Sequence, residues 1–83
     1  MGQNNLELSA AFARVVERRR KASGFSKAKL AQKAGLHQTY IGLLERGSRS
    51  PNLATAAAIA HSLGSPLSVL ILEAEKLVRA KRG

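Results

Sequence analysis

Apolar side chains recur along this chain at helical rather than strand spacing. No stretch shows sustained period-two alternation with β-branched enrichment, and the long segments rich in Ala, Leu, Lys and Arg favour helix. A first helix is predicted over about Leu8 to Ala22, where Phe12, Val15, Val16 and Arg19 share one side, and Ser23-Gly24 ends it. Ser26 is placed to cap a second helix, Lys27 to Ala34, closed by Gly35. A third covers about Gln38 to Arg46 and stops at Gly47. Turn residues then run from Gly47 to Pro51. Asn52 can cap a fourth helix ending near Leu63, and Ser65-Pro66 can open a fifth that continues to about Arg79. The fold class expected is all-α.

The segment Lys27–Gly47 carries the most informative spacing. Leu30, Ala34, Leu36, Ile41 and Leu44 can turn inward and bury the corner between two short helices. Ala31 is small, so the third helix can cross close to the second. Gly35 permits the positive φ that a tight turn between crossed helices needs. This is a helix-turn-helix pattern, although spacing alone is shared by many helical hairpins. On a helical wheel Tyr40, Ile41 and Leu44 face one way, while Gln38, Thr39, Gly42, Leu43 and Arg46 occupy the opposite half. That outward half is polar, small and basic, and an α-helix fits the major groove of B-DNA.

Charge narrows the partner. The 83 residues include 14 Lys+Arg and 5 Asp+Glu, a formal charge of +9, which points to a polyanion such as nucleic acid or an acidic membrane surface. Ten of the bases lie in residues 1–50, whereas Pro51 to Leu72 has no charged side chain. A membrane span is rejected for that run, because Asn52, Thr55, His61, Ser62, Gly64, Ser65, Pro66 and Ser68 interrupt it and a span needs about 20 predominantly apolar residues. The chain is short enough for a single domain over residues 1–83. With no cysteine there is neither a disulfide framework nor a thiolate metal site. The N-terminus lacks a basic-then-apolar signal, so a cytoplasmic location is expected.

The flanks of the motif add specificity. The matching residues are Arg20, Gly24-Phe25-Ser26, Leu30-Ala31, Ala34-Gly35-Leu36, Tyr40-Ile41, Glu45-Arg46-Gly47, Arg49-Ser50-Pro51, Ala60 and Leu63-Gly64. Over about Phe12 to Leu70 the chain resembles the Cro- and lambda-repressor-like (XRE) helix-turn-helix family, and in size it is similar to restriction–modification controller proteins and small phage repressors. The resemblance implies a compact five-helix lambda-repressor-like domain that binds double-stranded DNA. It places the first base reader at Gln38, whose amide can bond adenine bidentately. Thr39 offers a hydroxyl and a methyl to a base edge, Gly42 allows close approach, and Leu43 can meet a thymine methyl or pack on the core. Phosphate contacts are expected from Lys27 at the start of the second helix, from Tyr40 unless its ring simply packs, and from Arg46, Ser48 and Arg49. The family usually has Gln where this chain has Lys27, which favours an ionic contact there over an amide network supporting Gln38. The resemblance also pairs Glu45 with Arg20, tying the reading helix to the scaffold.

One such module reads only a few base pairs, so a homodimer on a palindromic operator is expected. Leu67, Val69, Leu70, Ile71 and Leu72 follow one another in the fifth helix, more apolar surface than one small core can bury, and they are the candidate dimer interface. The tail Glu73–Arg82 can extend it through Leu77 and Val78, so that the fifth helix and the tail, residues 66–83, form the expected dimerisation region. The alternative to a transcriptional regulator is an antitoxin-type protein that binds a toxin and autorepresses its operon. An enzyme is not expected. His37 and His61 lack metal-ligand partners at helical spacing, and no phosphate loop or nucleophile motif is present. No catalytic residue, cofactor, metal or small-molecule ligand is assigned, and no membrane partner. Single strands would call for stacking aromatics, and only Phe12, Phe25 and Tyr40 are available.

Overall fold

The computed structural model describes residues 2–82, with the surroundings of the side chains given for residues 7–81. Among the described residues there are five α-helices and no strand: α1 Gly2–Ala22, α2 Lys27–Ala34, α3 Gln38–Glu45, α4 Leu53–Ser62 and α5 Leu67–Arg82. Local chemistry sets the helix starts. Ser26 sits in extended backbone and its Oγ accepts the Lys29 N–H at 2.9 Å. Asn52 does the same for α4, its Oδ1 accepting from the Thr55 N–H at 2.8 Å. Each such cap satisfies an amide that has no partner inside its helix and contributes about 1 kcal/mol.

Packing then decides the assembly. Phe12, Val15 and Val16 of α1 meet Leu30 and Ala31 of α2, Ile41 and Leu44 of α3, Ala56, Ile59 and Ala60 of α4, and Leu70 and Ala74 of α5 in one core. Leu30, Ile41, Leu44, Ile59 and Leu70 are fully buried, each contributing about 1.5–3 kcal/mol relative to exposure. The long helices α1 and α5 pack on one another, α2 rests on α3 and α4, and α1 also touches α3. The uncharged run is two helices, α4 and the start of α5, bent by 101°, and no single described helix is long and apolar enough to cross a membrane.

Two expectations, the start of α1 and the place of Leu70, are corrected here. The backbone of α1 begins at Gly2, not Leu8. Its first residues carry no apolar periodicity, but extending an existing helix adds a hydrogen bond per residue without a new nucleation cost. Ser65, at the entry to α5, accepts a 2.7 Å bond from Arg19 Nη1 through its hydroxyl. Leu70, placed above among the dimer-interface candidates, has no exposed surface within the single chain. It points into the core because positions three and four apart share a helix face, and Ala74, four residues on, is buried beside it.

Candidate nucleic-acid interface

The connection between α2 and α3 is built by backbone chemistry. Gly35 takes φ 73° and ψ 33°, the left-handed region that side chains with a Cβ disfavour. There the Gly35 N–H donates to the Gln32 carbonyl at 3.3 Å and the Leu36 N–H to the Ala31 carbonyl at 2.8 Å, which closes α2 and turns the chain. Ala31 is buried, while Ala34 and Leu36 are partly buried and pack against the core, so the corner is filled as its spacing predicts. At the far end of α3, the Gly47 N–H donates to the Leu44 carbonyl and the Ser48 N–H to that of Leu43, both at 2.9 Å. The loop that follows presents Ser48, Arg49 and Ser50, all exposed. Ser50 is tied back to α1, its Oγ 2.8 Å from the Ser9 Oγ.

With Ile41 and Leu44 locked inward, the other half of α3 must face out. Gln38 and Thr39 are exposed, as is Arg46 at the C-terminal end. A methyl built on Gly42 would meet nothing within 4 Å, so this position opens onto free space. Leu43 is half-buried yet stands apart from the core cluster. Tyr40 is also half-buried and its ring packs against the core. Lys27 is exposed at the start of α2. Lys29 and Lys33 are exposed further along the same helix, with Lys33 Nζ 5.3 Å from the centre of the Phe25 ring. Gln38, Thr39, Gly42, Arg46, Lys27, Ser48 and Arg49 thus lie along α2, α3 and the following loop, with the core behind them.

The end of α3 is held to α1 by an ion pair. Arg20 Nε donates to Glu45 Oε2 at 2.7 Å and Arg20 Nη2 to Glu45 Oε1 at 3.0 Å, while Arg20 Nη1 donates to the Phe25 carbonyl at 2.8 Å. Only 9% of the Arg20 side chain and 3% of the Glu45 side chain are exposed. The hydrogen bonds to Glu45 raise the Arg20 pKa against the opposing effect of burial. Glu45, the acid at the end of α3, is therefore paired and turned inward. A second pair was not legible in the chain: Arg19 bonds Glu73 through both Nε, at 3.3 Å to Oε1, and Nη2, to Oε2. Another residue missed from the sequence is Leu53, which is 78% exposed at the start of α4. It lines a small apolar groove of about 120 Å³ with Leu8, Phe12, Pro51 and Ile71. Among the described residues no group of three or more His, Asp or Glu could hold a metal ion.

Comparison with known proteins turns this geometry into a family assignment. The pattern of the helix-turn-helix family matches residues 16–70, from the middle of α1 to the buried Leu70. The chain belongs to the XRE-type helix-turn-helix family. It is also 32% identical over 66 residues to Control protein C.SmaI of Serratia marcescens, spanning 80% of this chain and 79% of that one. The structure of the restriction–modification controller protein C.AhdI of Aeromonas hydrophila superposes with a TM-score of 0.71 at 31% identity, over 74% of this chain and 92% of that chain. The clp gene regulator ClgR of Corynebacterium glutamicum superposes with a TM-score of 0.85 over 90% of this chain and 80% of that chain, and at 23% identity this likeness speaks for the fold. As an XRE-type helix-turn-helix protein, the chain is a DNA-binding regulator similar to controller proteins.

Proposed function

We propose that the chain is a sequence-specific transcriptional regulator that binds double-stranded DNA as a homodimer on a palindromic operator. The observation that carries this reading is the open outer face of α3, where Gln38 and Thr39 are exposed and the Cβ direction of Gly42 is unobstructed while Ile41 and Leu44 anchor the helix from behind. In the complex α3 enters the major groove. Gln38 and Thr39 meet base edges, Gly42 sets the depth of approach, and Leu43 lies against a thymine methyl. Lys27 on one side, and Arg46, Ser48 and Arg49 on the other, neutralise phosphates of the two flanking strands, with the Tyr40 hydroxyl as a further donor.

The dimer uses α5. Val69 and Leu72 are exposed at 37% and 48%, and with Leu53 of α4 they are, among the described residues, the large apolar side chains most open to solvent. Leu67 and Ile71 are partly buried against the core and support that surface from below. Burying it against a second copy related by a two-fold axis sets two copies of α3 on half-sites about one helical turn, ~34 Å, apart. Selection of bound duplexes from a random pool tests the reading, together with sedimentation of the free protein. Enrichment of an inverted repeat by a dimeric protein is expected. An unstructured pool of recovered sequences would refute sequence-specific reading, and enrichment of a single half-site by a monomer would refute the dimer.

A further inference from the structure

We propose that Arg19 is a positioning residue that fixes the separation at which the two half-sites are read; this rests on the dimer of the preceding section. Consecutive arginines near the C-terminal end of α1 reach in different directions. Arg20 grips the reading helix through Glu45. Arg19 grips α5 through two bonds to Glu73, and its Nη1 also donates to Ser65 in the turn between α4 and α5. One rigid helix thus carries both clamps, one on the element that reads DNA and one on the element that meets the second subunit.

The second clamp adds direction to the packing of α5 on α1. Leu70 and Ala74 on α5 and Val15 on α1 are fully buried in the shared core, and the hydrophobic driving force that buries them is itself non-directional. A charge-assisted, two-pronged pair has a defined plane and direction. Glu73 follows Leu72 and lies four residues after Val69, so holding the Glu73 carboxylate holds the outward direction of both. The required precision follows from DNA geometry. Each reading helix stands about 17 Å from the two-fold axis, half of a ~34 Å half-site separation, so a tilt of about 10° displaces it by about 3 Å. That is close to one base-pair rise of about 3.4 Å.

The test uses the full chain and duplexes carrying two copies of the half-site recovered by selection. One has the selected spacing, others are one base pair shorter or longer, and one carries a single half-site. Wild type should prefer the selected spacing by about ten-fold or more. Arg19→Met, which keeps the hydrocarbon stem, should cut that preference by about five-fold while leaving affinity for the single half-site within about two-fold. Glu73→Gln should move the preference in the same direction, and the exchange Arg19→Glu with Glu73→Arg should restore part of it. Melting curves and sedimentation of each variant separate a loosened dimer from an unfolded one. A dimeric Arg19→Met protein with wild-type spacing preference would overturn the proposal. So would a fall in single half-site affinity as large as the fall in preference, since that marks a general loss of structure. A monomeric wild type indifferent to spacing would instead bring down the dimer reading, and this proposal with it.

Discussion

Replacing Gly42 by alanine should move stability and DNA affinity in opposite directions. Gly42 lies inside α3 with an ordinary helical backbone, and it is absent from the glycines at positive φ. An added methyl meets nothing within 4 Å, so the protein itself imposes no steric cost. Alanine loses less backbone freedom on folding than glycine, and in a helix interior the gain is about 1 kcal/mol. For a domain of 60–100 residues that raises Tm by about 4–8 °C. On DNA the same methyl occupies the space through which α3 approaches the groove. Backing the helix off weakens Gln38 and Thr39 together, and a loss of about ten-fold, or ~1.4 kcal/mol, is a reasonable floor. Calorimetry of the free protein and binding to the selected duplex measure the two effects separately. Wild-type affinity in a stabilised Gly42→Ala protein would mean that this face does not enter the groove, and a lowered Tm would mean that the surroundings of Gly42 are misread.

Other expectations follow from the same contacts. Glu45→Ala leaves the Arg20 guanidinium buried without its carboxylate and should cost about 3–5 kcal/mol, lowering Tm and DNA affinity together; an unchanged melting curve would exclude a structural role for the pair. Gln38→Ala should cost about 1–3 kcal/mol and relax preference at one base pair, whereas Lys27→Ala should weaken binding to all duplexes and flatten the salt slope by about one, measured by titration over a range of salt. Hydrogen bonding from Arg19 holds the Glu73 carboxyl below the usual carboxylate range. Its stabilising contribution is therefore complete above the ordinary glutamate pKa and is lost as pH falls through the depressed folded value. Both partners are about 30% exposed, 28% and 32%, so Glu73→Gln should cost no more than about 1 kcal/mol near neutral pH, and the gap in Tm from wild type should close in acid.

Which features could be read from the chain depended on how far apart their partners lie. Ser26 and Asn52 act on amides three residues away, and Gly35 and Gly47 act within their own turns, so residue type and neighbours suffice. The inward set Leu30, Ile41 and Leu44 follows from helical spacing alone. The pairing of Arg20 with Glu45, 25 residues apart, was reached through family resemblance rather than spacing. Arg19 and Glu73 are 54 residues apart, and their meeting depends on the register of α1 against α5, for which no local pattern exists. Arg19 shares a side with Phe12, Val15 and Val16, which hinted that it faces the interior without naming its partner. A run of consecutive apolar residues also hides direction. Leu70 and Leu72 look alike in sequence, and the core decides that the first is buried while the second is 48% exposed.

The brevity of α3 has a consequence for how such a regulator behaves when heated or mutated. Eight residues are too few to stay helical alone in water, where about 12–15 are marginal even for favourable sequences. The helix therefore exists only while Ile41 and Leu44 are seated in the interior. If α3 reads bases as proposed, melting and release of the duplex become one coupled equilibrium, in which an unravelled copy retains charge but no base preference. Mass action makes the coupling mutual, so excess cognate duplex should raise the temperature at which the polypeptide unravels, by about 2.7 kcal/mol of protection at a hundred times the Kd.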